Sequence, residues 1–260
     1  MKNIAQTLRH SLGSGAILPL LILLAWEGCT CFGLLDVRLW SSPLLVAAGA
    51  WTALGDGSLA AALKASLSRD LAGFALGAGA AIPIGLLLAR IRIAEALLGP
   101  TLNTVRQIAL FAWVPFLSLW LGNGETGRIA FIALASFFPV LLNTELGARQ
   151  VEIRYLEVAR ILNLKSHRVL LKVILPSAFP AILTGLRLGL IYAWLATIGA
   201  EYLFATTEGI GAMMMDARDL FRMDLVILGM AVVGGIGFLL NAILSRIGHL
   251  PLWRGVEEVV

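Results

Sequence analysis

Charged side chains are scarce in this sequence of 260 residues, and their scarcity excludes an ordinary soluble domain. Asp, Glu, Lys and Arg together make up 14% of the residues, whereas 59% are hydrophobic. A typical soluble domain has about a quarter charged residues and about half apolar ones. The mean hydropathy of +0.88 agrees with these figures. The composition therefore indicates an integral membrane protein.

Cysteine and histidine are also rare, which argues against a disulfide framework or a metal site. The two cysteines, Cys29 and Cys31, are two positions apart and would point to different sides of a helix. No histidine lies near them, since His10, His167 and His249 are scattered along the chain. The sequence therefore predicts no metal centre and no catalytic cluster.

Long apolar runs predict about six membrane-spanning helices, because roughly 20 residues cross a bilayer. The first run follows Lys2 and Arg9 and is expected to stay in the protein. It is long for a cleavable signal, and no small-residue cleavage site stands out. Residues 36–68 are expected to form an external loop with a short amphipathic helix. The predicted spans are 17–35, 70–89, 102–121, 129–146, 181–200 and 225–244.

The second predicted span is rich in glycine. Small residues let helix backbones approach closely, which matters in a bilayer because lipid gives helices no hydrophobic reason to associate. We therefore expect this span to pack tightly against its neighbours through Gly73, Gly77, Gly79 and Gly85.

The distribution of basic residues predicts the orientation of the chain. Twelve of the 20 Lys and Arg residues fall in segments on the same side as the termini, and five fall on the other side. Because cytoplasmic loops carry the excess of Lys and Arg, both termini are expected in the cytoplasm. This orientation also places residues 147–178, which we call the basic segment, in the cytoplasm.

The basic segment contains the stretch EVARILNLKSHRVLLKVILP at positions 157–176. It reads as two short helices at an angle, 155–163 and 166–175. Tyr155, Ala159 and Leu162 are expected to share one apolar stripe, and Ser166 is suited to cap the second helix. Pro176 and Pro180 are expected to end that helix and begin the fifth span. Taken alone, this pattern also fits a basic helix held on the membrane surface by anionic headgroups.

Positions within the basic segment match a family motif at every spacing. They are Glu157-Val158-Ala159, Asn163 and Val173-x-Leu175-Pro176. The stretch resembles the signature loop of binding-protein-dependent ABC importer permeases, which is Glu-Ala-Ala, three residues, Gly, nine residues, Ile-x-Leu-Pro. Asn163 stands at the usual glycine, and asparagine is tolerant of left-handed backbone, so the turn is expected to survive.

The resemblance covers almost the whole chain and points to the nitrate/sulfonate/taurine branch of these permeases. Further matching stretches are Trp26-Glu27, Ser42-Pro43, Pro115-Phe116, Leu119–Gly122, Phe138–Thr144, Leu183–Arg187, Ala200-Glu201, Gly209-x-Gly211, Asp216–Arg218 and Asp224.

The resemblance implies an all-α, type I ABC importer permease fold. It implies one transmembrane domain over 1–260, with its core at about 65–250 and a cytoplasmic coupling loop at 147–178. It implies a homodimer in a bacterial inner membrane, two cytoplasmic ABC ATPase subunits and a periplasmic solute-binding protein. The residues then expected to couple to the ATPase are Glu157, Ala159, Arg160, Asn163, Val173, Leu175 and Pro176.

The chain itself is not expected to be an enzyme or to bind a cofactor. These 260 residues contain no Gly-x-x-x-x-Gly-Lys-Ser/Thr phosphate loop. ATP and Mg²⁺ are therefore expected on the partner ATPase. A membrane-embedded enzyme or an ion-coupled carrier is the alternative from another class. Aliphatic sulfonates are the first choice of solute, with nitrate, taurine or another small organic solute as alternatives.

Polar and aromatic residues within the spans are candidates for the translocation path or its gate. Charges there are costly and need a reason. Arg187 and Arg106 have two interpretations, attraction of an anionic solute or pairing with a carboxylate or a helix end. Glu27 is expected to be structural, and Glu201 to act as a gate or to contact the binding protein. The path candidates are Trp113, Asn143, Arg187, Tyr192, Trp194 and Glu201.

Overall fold

The computed structural model describes residues 17–18, 21–33, 40–204 and 206–248, and their regular structure is entirely helical. This confirms the all-α class. Two short irregular helices interrupt the series, the 3-10 helix Leu110–Trp113 and the π segment Leu170–Ile174. The α-helices are α1 Leu21–Cys31, α2 Pro43–Gly55, α3 Ser58–Arg90, α4 Arg92–Val105, α5 Val114–Leu121, α6 Glu125–Arg149, α7 Ile153–Ile161, α8 Ser166–Val169, α9 Leu175–Leu203, α10 Ile210–Asp219 and α11 Met223–Gly248.

Helix α6 lies between α3 and α9, and these three helices form the centre of the bundle. Helices α3 and α6 run in the same direction, and α9 runs back against them. One end of the bundle, the basic end, carries Arg90, Arg149 and the basic segment; the other, the far end, carries Ser58, Glu125 and Leu203. Four helices in the described residues are long and apolar enough to cross a membrane, or five if the bent pair α4 and α5 counts as one span.

Glycines set the close approach of the central helices, as predicted for three of the four in α3. A Cβ atom at Gly73 would lie 2.5 Å from Ile132 Cγ2, and one at Gly85 would lie 2.9 Å from the Leu141 carbonyl oxygen. Gly77 faces Ser136 and the carbonyl of Ala133 even more closely. The prediction was wrong for Gly79, because its Cβ position has no other atom within 4 Å.

The expected external loop at 36–68 was largely wrong. From residue 40 onward the structure has α2, whose N-terminus is capped by Ser42 Oγ accepting the Leu45 N–H at 3.3 Å. Helix α3 then begins at Ser58, 12 residues before the predicted start of the second span. Ser66, which was placed in the loop, and Arg69, which was counted on the outside, are instead buried against other helices.

The third predicted span is not one helix. The chain breaks after α4 and resumes in the 3-10 helix and α5, and the two parts meet at 97°. Pro115 lies in the first turn of α5, where its missing N–H costs no hydrogen bond. Because a proline at 115 suits a helix start rather than a helix interior, the break before it has a local cause.

The second helix of the basic segment does not end at Pro176 and Pro180, contrary to prediction. Residues Ser166–Leu203 form one continuous helical stretch of 38 residues. The π segment directly precedes Pro176, and its wider bonding, in which the Leu175 N–H reaches the Leu170 carbonyl, accommodates the missing proline N–H within the continuous helix. The end of the basic segment and the fifth predicted span thus share one helix.

The first predicted span is described only over residues 17–18 and 21–33, where Leu21–Cys31 is helical. Glu27 accepts the Leu44 N–H at 3.4 Å at the N-terminus of α2, a contact that agrees with a structural role. The basic residues near the two chain ends, Lys2, Arg9 and Arg254, lie outside the described residues.

Candidate functional site

The turn between α7 and α8 gives the basic segment its shape. Asn163 has a φ of +49°, the left-handed conformation in which its N–H bonds to the Arg160 carbonyl at 2.9 Å. The next N–H, from Leu164, bonds to the Ala159 carbonyl at 3.0 Å. This pair of bonds is the Schellman motif, which usually places glycine at the left-handed position. Asn163 therefore adopts the left-handed turn that was expected at this position of the motif.

The inner face of the basic segment is fixed to the bundle. Ala159 is 3% exposed, and a buried cluster joins Ala148 and Val151 to Ile174 and Ala178. Leu156 packs against this cluster, whereas Leu162, predicted on the inner stripe with Tyr155 and Ala159, is exposed. Leu162 follows the last helical residue of α7, where the chain already turns away. Ser166 does not cap α8, contrary to prediction. Lys165 occupies the N-cap position, and its side chain makes no capping hydrogen bond.

The outer face of α7 is apolar and exposed, with one acidic residue in it. Ile153, Val158 and Leu162 are exposed, and Ile161 is 78% exposed. Glu157 is exposed beside them and has no ion pair or hydrogen bond within the described part of the chain. Large exposed apolar patches on soluble surfaces mark interaction sites. This patch, defined by Ile153, Glu157, Val158, Ile161 and Leu162, is suited to contact another protein.

Basic groups surround a cleft between the basic segment and the end of α3. The cleft is about 630 Å³, and Arg90, Arg160 and His167 line it together with an apolar floor. Arg154, near the start of α7, is instead paired with Glu152. The hydrogen bond between them raises the pKa of Arg154 above its usual value. Arg90 and Arg160 have no ion pair within the described residues, so the cleft offers positive charge on the side of α7 next to the bundle.

Buried charges join four helices at the far end. Arg69 in α3 donates to Glu125 Oε2 in α6 at 2.8 Å and to Glu201 Oε1 in α9 at 2.9 Å. Ser66 Oγ donates to Glu201 Oε1 at 2.7 Å, and the Gly211 N–H of α10 donates to Glu201 Oε2 at 2.7 Å. Glu201 is 1% exposed. Its carboxylate is thus satisfied on both oxygens by partners from α3 and α10.

The Glu201 carboxylate explains why both positions of the Gly209-x-Gly211 motif require glycine. Gly209 has a φ of +126°, and a Cβ atom there would collide with the Glu201 carboxylate. At Gly211 a Cβ atom would lie 2.7 Å from Glu201 Cβ. The backbone therefore approaches Glu201 so closely that neither position has space for a side chain.

The predicted path residues do not form one cluster. Trp194 is buried and donates from Nε1 to the Val233 carbonyl of α11 at 2.9 Å. Asn143 donates to the Pro139 carbonyl one turn earlier in its own helix at 2.8 Å. Tyr192 is 51% exposed on α9, and Trp113 is half-buried at the end of the 3-10 helix, edge-on to Phe116. Their roles in a path stay predictions.

The two charged path candidates have partners. Arg187 Nη2 donates to the Ser245 carbonyl in the last turn of α11 at 3.1 Å, which is the helix-end pairing considered above. Glu201 lies in the buried ion network, and its side chain has no exposed surface in this structure. A direct contact of that carboxylate with a separate binding protein would therefore require the far end to open.

The chain belongs to the family described as "Binding-protein-dependent transport system inner membrane component", whose model matches residues 81–250. It is an ABC importer permease, a multi-pass protein of the inner membrane. Members of this family are the transport component rather than the catalytic one.

The relatives of the chain belong to the branch predicted from the sequence. It is 35% identical over 251 residues to the putative aliphatic sulfonates transport permease protein SsuC of Bacillus subtilis, covering 96% of this chain and 91% of that one. It is 35% identical to the taurine transport system permease protein TauC of Escherichia coli, over 77% and 73% of the two chains. It is 36% identical to the bicarbonate transport system permease protein CmpB of Synechococcus elongatus, over 68% and 64%.

Sequence reasoning missed the buried ion network apart from Glu201. Arg69 was counted in an outside loop, and Ser66 was placed in that loop too. Asp70, predicted as the first residue of a span, is fully buried and accepts a hydrogen bond from Thr197 Oγ1 at 3.4 Å. The sequence did contain one signal, the charged pair Arg69-Asp70 next to a glycine-rich apolar run. Because charges are rarely buried without partners, this pair indicated that partners lie elsewhere in the bundle.

Proposed function

We propose that this permease imports a small anionic solute, an aliphatic sulfonate first, delivered by a periplasmic binding protein. The similarity to SsuC extends over 96% of the chain, which favours a sulfonate. TauC and CmpB are named for taurine and bicarbonate transport, so those anions are the alternatives. Specificity is expected mainly in the separate binding protein.

Two cytoplasmic ABC ATPase subunits supply the energy for transport and hold the ATP and Mg²⁺. This chain binds no cofactor of its own. The observation that supports this is the exposed apolar patch with Glu157 on the outer face of α7. Beneath it, Ala159 is buried and Leu156 packs α7 against the buried cluster, so that force applied to the patch reaches α9 through that cluster. The remaining coupling candidates, Val173, Leu175 and Pro176, lie on that same continuous helix.

The working assembly is a homodimer with both termini in the cytoplasm. In that orientation the basic end faces the cytoplasm, as the excess of Lys and Arg requires. Closure of the ATPases draws the two basic segments together, and the spans move as rigid bodies to open the pathway toward the binding protein.

Reversal of the charge at position 157 tests the docking proposal. Glu157→Arg is expected to reduce recovery of the ATPase subunit with the tagged permease about tenfold or more, because a buried contact charge is replaced by its opposite. Glu208→Arg is the control, since Glu208 is an exposed acid at the far end. Unchanged ATPase recovery with Glu157→Arg would mean that this patch is not the docking surface.

The solute is identified by the ligand that stabilises the cognate binding protein against thermal unfolding. Stabilisation by ethanesulfonate over nitrate, taurine and bicarbonate supports the sulfonate. Stabilisation by neutral compounds alone would rule out an anionic solute.

A further inference from the structure

The break between α4 and α5 lies near the middle of the membrane-crossing part of the protein. Leu102, before the break, packs against the buried cluster that includes Val140 and Leu141 of α6. Leu110, after the break, packs against the buried cluster that includes Phe131 and Ile132 of the same helix. Helix α6 runs from 125 to 149, so the break is level with its central turns. Broken helices at such depth are a common place for solute binding in transporters.

A small cleft adjoins this break. Its volume is about 270 Å³, near the lower limit of the range for ligand pockets, and it therefore suits only a small solute. The wall from α3 and α6 is apolar except for Glu145, and α4 with its C-cap residue contributes the polar side chains Glu95, Asn103 and Arg106. The residues that line the cleft are Leu88, Glu95, Gly99, Pro100, Leu102, Asn103, Arg106, Phe138, Leu141, Leu142 and Glu145.

Arg106 is exposed and lacks an acceptor within the described residues, whereas the buried or half-buried arginines of the bundle have partners. Arg69 and Arg128 share Glu125, and Arg187 has the Ser245 carbonyl. For Arg106 the structure has no ion pair within 4.0 Å and no side-chain hydrogen bond in the described part of the chain. A guanidinium at the level of the middle of a span, without a partner, is by default a functional group.

The two carboxylates of the cleft are already paired. Arg149 Nη2 is 2.7 Å from Glu95 Oε1 and 2.8 Å from Glu145 Oε1. Both acids lie toward the basic end, because Glu95 is in the first turn of α4 and Arg106 follows its last residue, about 16 Å further along the axis. The cleft therefore has paired carboxylates at one end and, at the other, the guanidinium of Arg106, which has no partner among the described residues.

We propose that Arg106, with Asn103, is an anion-binding station on the translocation path and takes the sulfonate or carboxylate head of the solute. This rests on the proposed function. The planar guanidinium presents paired donors that match two oxygens of such a group. Asn103 is one turn before Arg106 on the same helix face and adds an amide donor. The apolar wall with Phe138 and Leu142 accommodates a short aliphatic tail.

Uptake of radiolabelled ethanesulfonate by the complete transporter tests the proposal, with recovery of the ATPase subunit measured in parallel. Arg106→Gln is expected to lower uptake about tenfold or more, since a charged hydrogen-bond partner is lost, and Arg106→Lys to restore part of it. Arg92→Gln, an exposed arginine at the start of the same helix, is expected to stay within about twofold of the parent. ATPase recovery is expected to be unchanged in all three.

A second variant keeps the proposal testable even if Arg106→Gln does not fold. Asn103 is exposed, so Asn103→Asp should fold, and it places a negative charge where the anion would bind. Uptake is expected to fall about tenfold. Full uptake by either Asn103→Asp or Arg106→Gln would overturn the anion station, and so would loss of uptake together with loss of ATPase recovery. A parent protein that recruits no ATPase would instead refute the proposed function.

Discussion

The ion network at the far end makes a quantitative prediction, because Arg69 pairs with two glutamates of very different exposure. The Arg69–Glu201 pair is buried on both sides, whereas the Glu125 side chain is 53% exposed. The two pairs have nearly equal distances, 2.8 Å and 2.9 Å. Replacement of each glutamate by glutamine therefore compares a buried and an exposed ion pair that share one arginine.

Glu201→Gln is expected to lower the free energy of unfolding by about 3 kcal/mol. One oxygen of the amide can still accept from Arg69 and Ser66, but its NH₂ group then faces the Gly211 N–H, so that donors meet. An unsatisfied buried donor costs about 1–3 kcal/mol, and a broken buried pair about 3–5 kcal/mol. The lower end of the second range applies, because Arg69 keeps Glu125. Glu125→Gln is expected to cost about 1 kcal/mol, because Glu125 is half exposed and both of its partners, Arg69 and Arg128, keep other acceptors.

Unfolding in mixed micelles, with rising fractions of SDS and helicity followed by circular dichroism, measures both changes. The predicted gap of about 2 kcal/mol corresponds to about 30-fold in the unfolding equilibrium. Equal shifts for the two variants, or a larger shift for Glu125→Gln, would refute the assignment of Glu201 as a buried, fully bonded carboxylate.

Two further predictions concern backbone geometry and use the same unfolding measurement. Asn163→Gly is expected to be nearly neutral, whereas Asn163→Val should cost about 1–2 kcal/mol, because a β-branched residue opposes the left-handed backbone; a harmless valine would contradict the turn. Gly77→Leu should strongly destabilise the protein, because the position faces Ser136 and the Ala133 carbonyl, whereas Gly79→Leu should be tolerated. Similar costs at both glycines would contradict the packing of α3 on α6.

The basic segment could be predicted in detail because its information is local. The Glu157–Pro176 spacing, the turn residue Asn163 and the inner residue Ala159 all depend on neighbours within about 20 positions. The left-handed φ of Asn163 agrees with the tolerance expected of asparagine. The errors within this segment were also local. Leu162 and Ser166 were each misplaced at a helix end, and Pro176 and Pro180 were given their usual helix-ending effect because the π segment was not anticipated.

The ion network could not be predicted because its partners are far apart in sequence. Ser66 and Glu201 are 135 positions apart, and Arg69 and Glu125 are 56 apart. Without their partners, Ser66 and Arg69 look like loop residues, and the start of α3 was therefore placed 12 residues too late. The same limit applies to Arg106, because only the fold can reveal that it has no partner among the residues described by the structure.

The continuity of Ser166–Leu203 connects the two ends of the molecule. At 1.5 Å per residue, its 38 residues span about 57 Å, from the basic segment to the Glu201 network. Close packing at Gly185 and Gly189 holds α9 against α6, and Arg187 ties it to α11. A displacement of the basic segment must therefore either move α9, and Glu201 with it, or be absorbed near the π segment. The buried ion network at the far end holds α9 in place and thus resists such a movement. Replacement of Glu201 should therefore weaken the mechanical connection between the two ends as well as destabilise the fold.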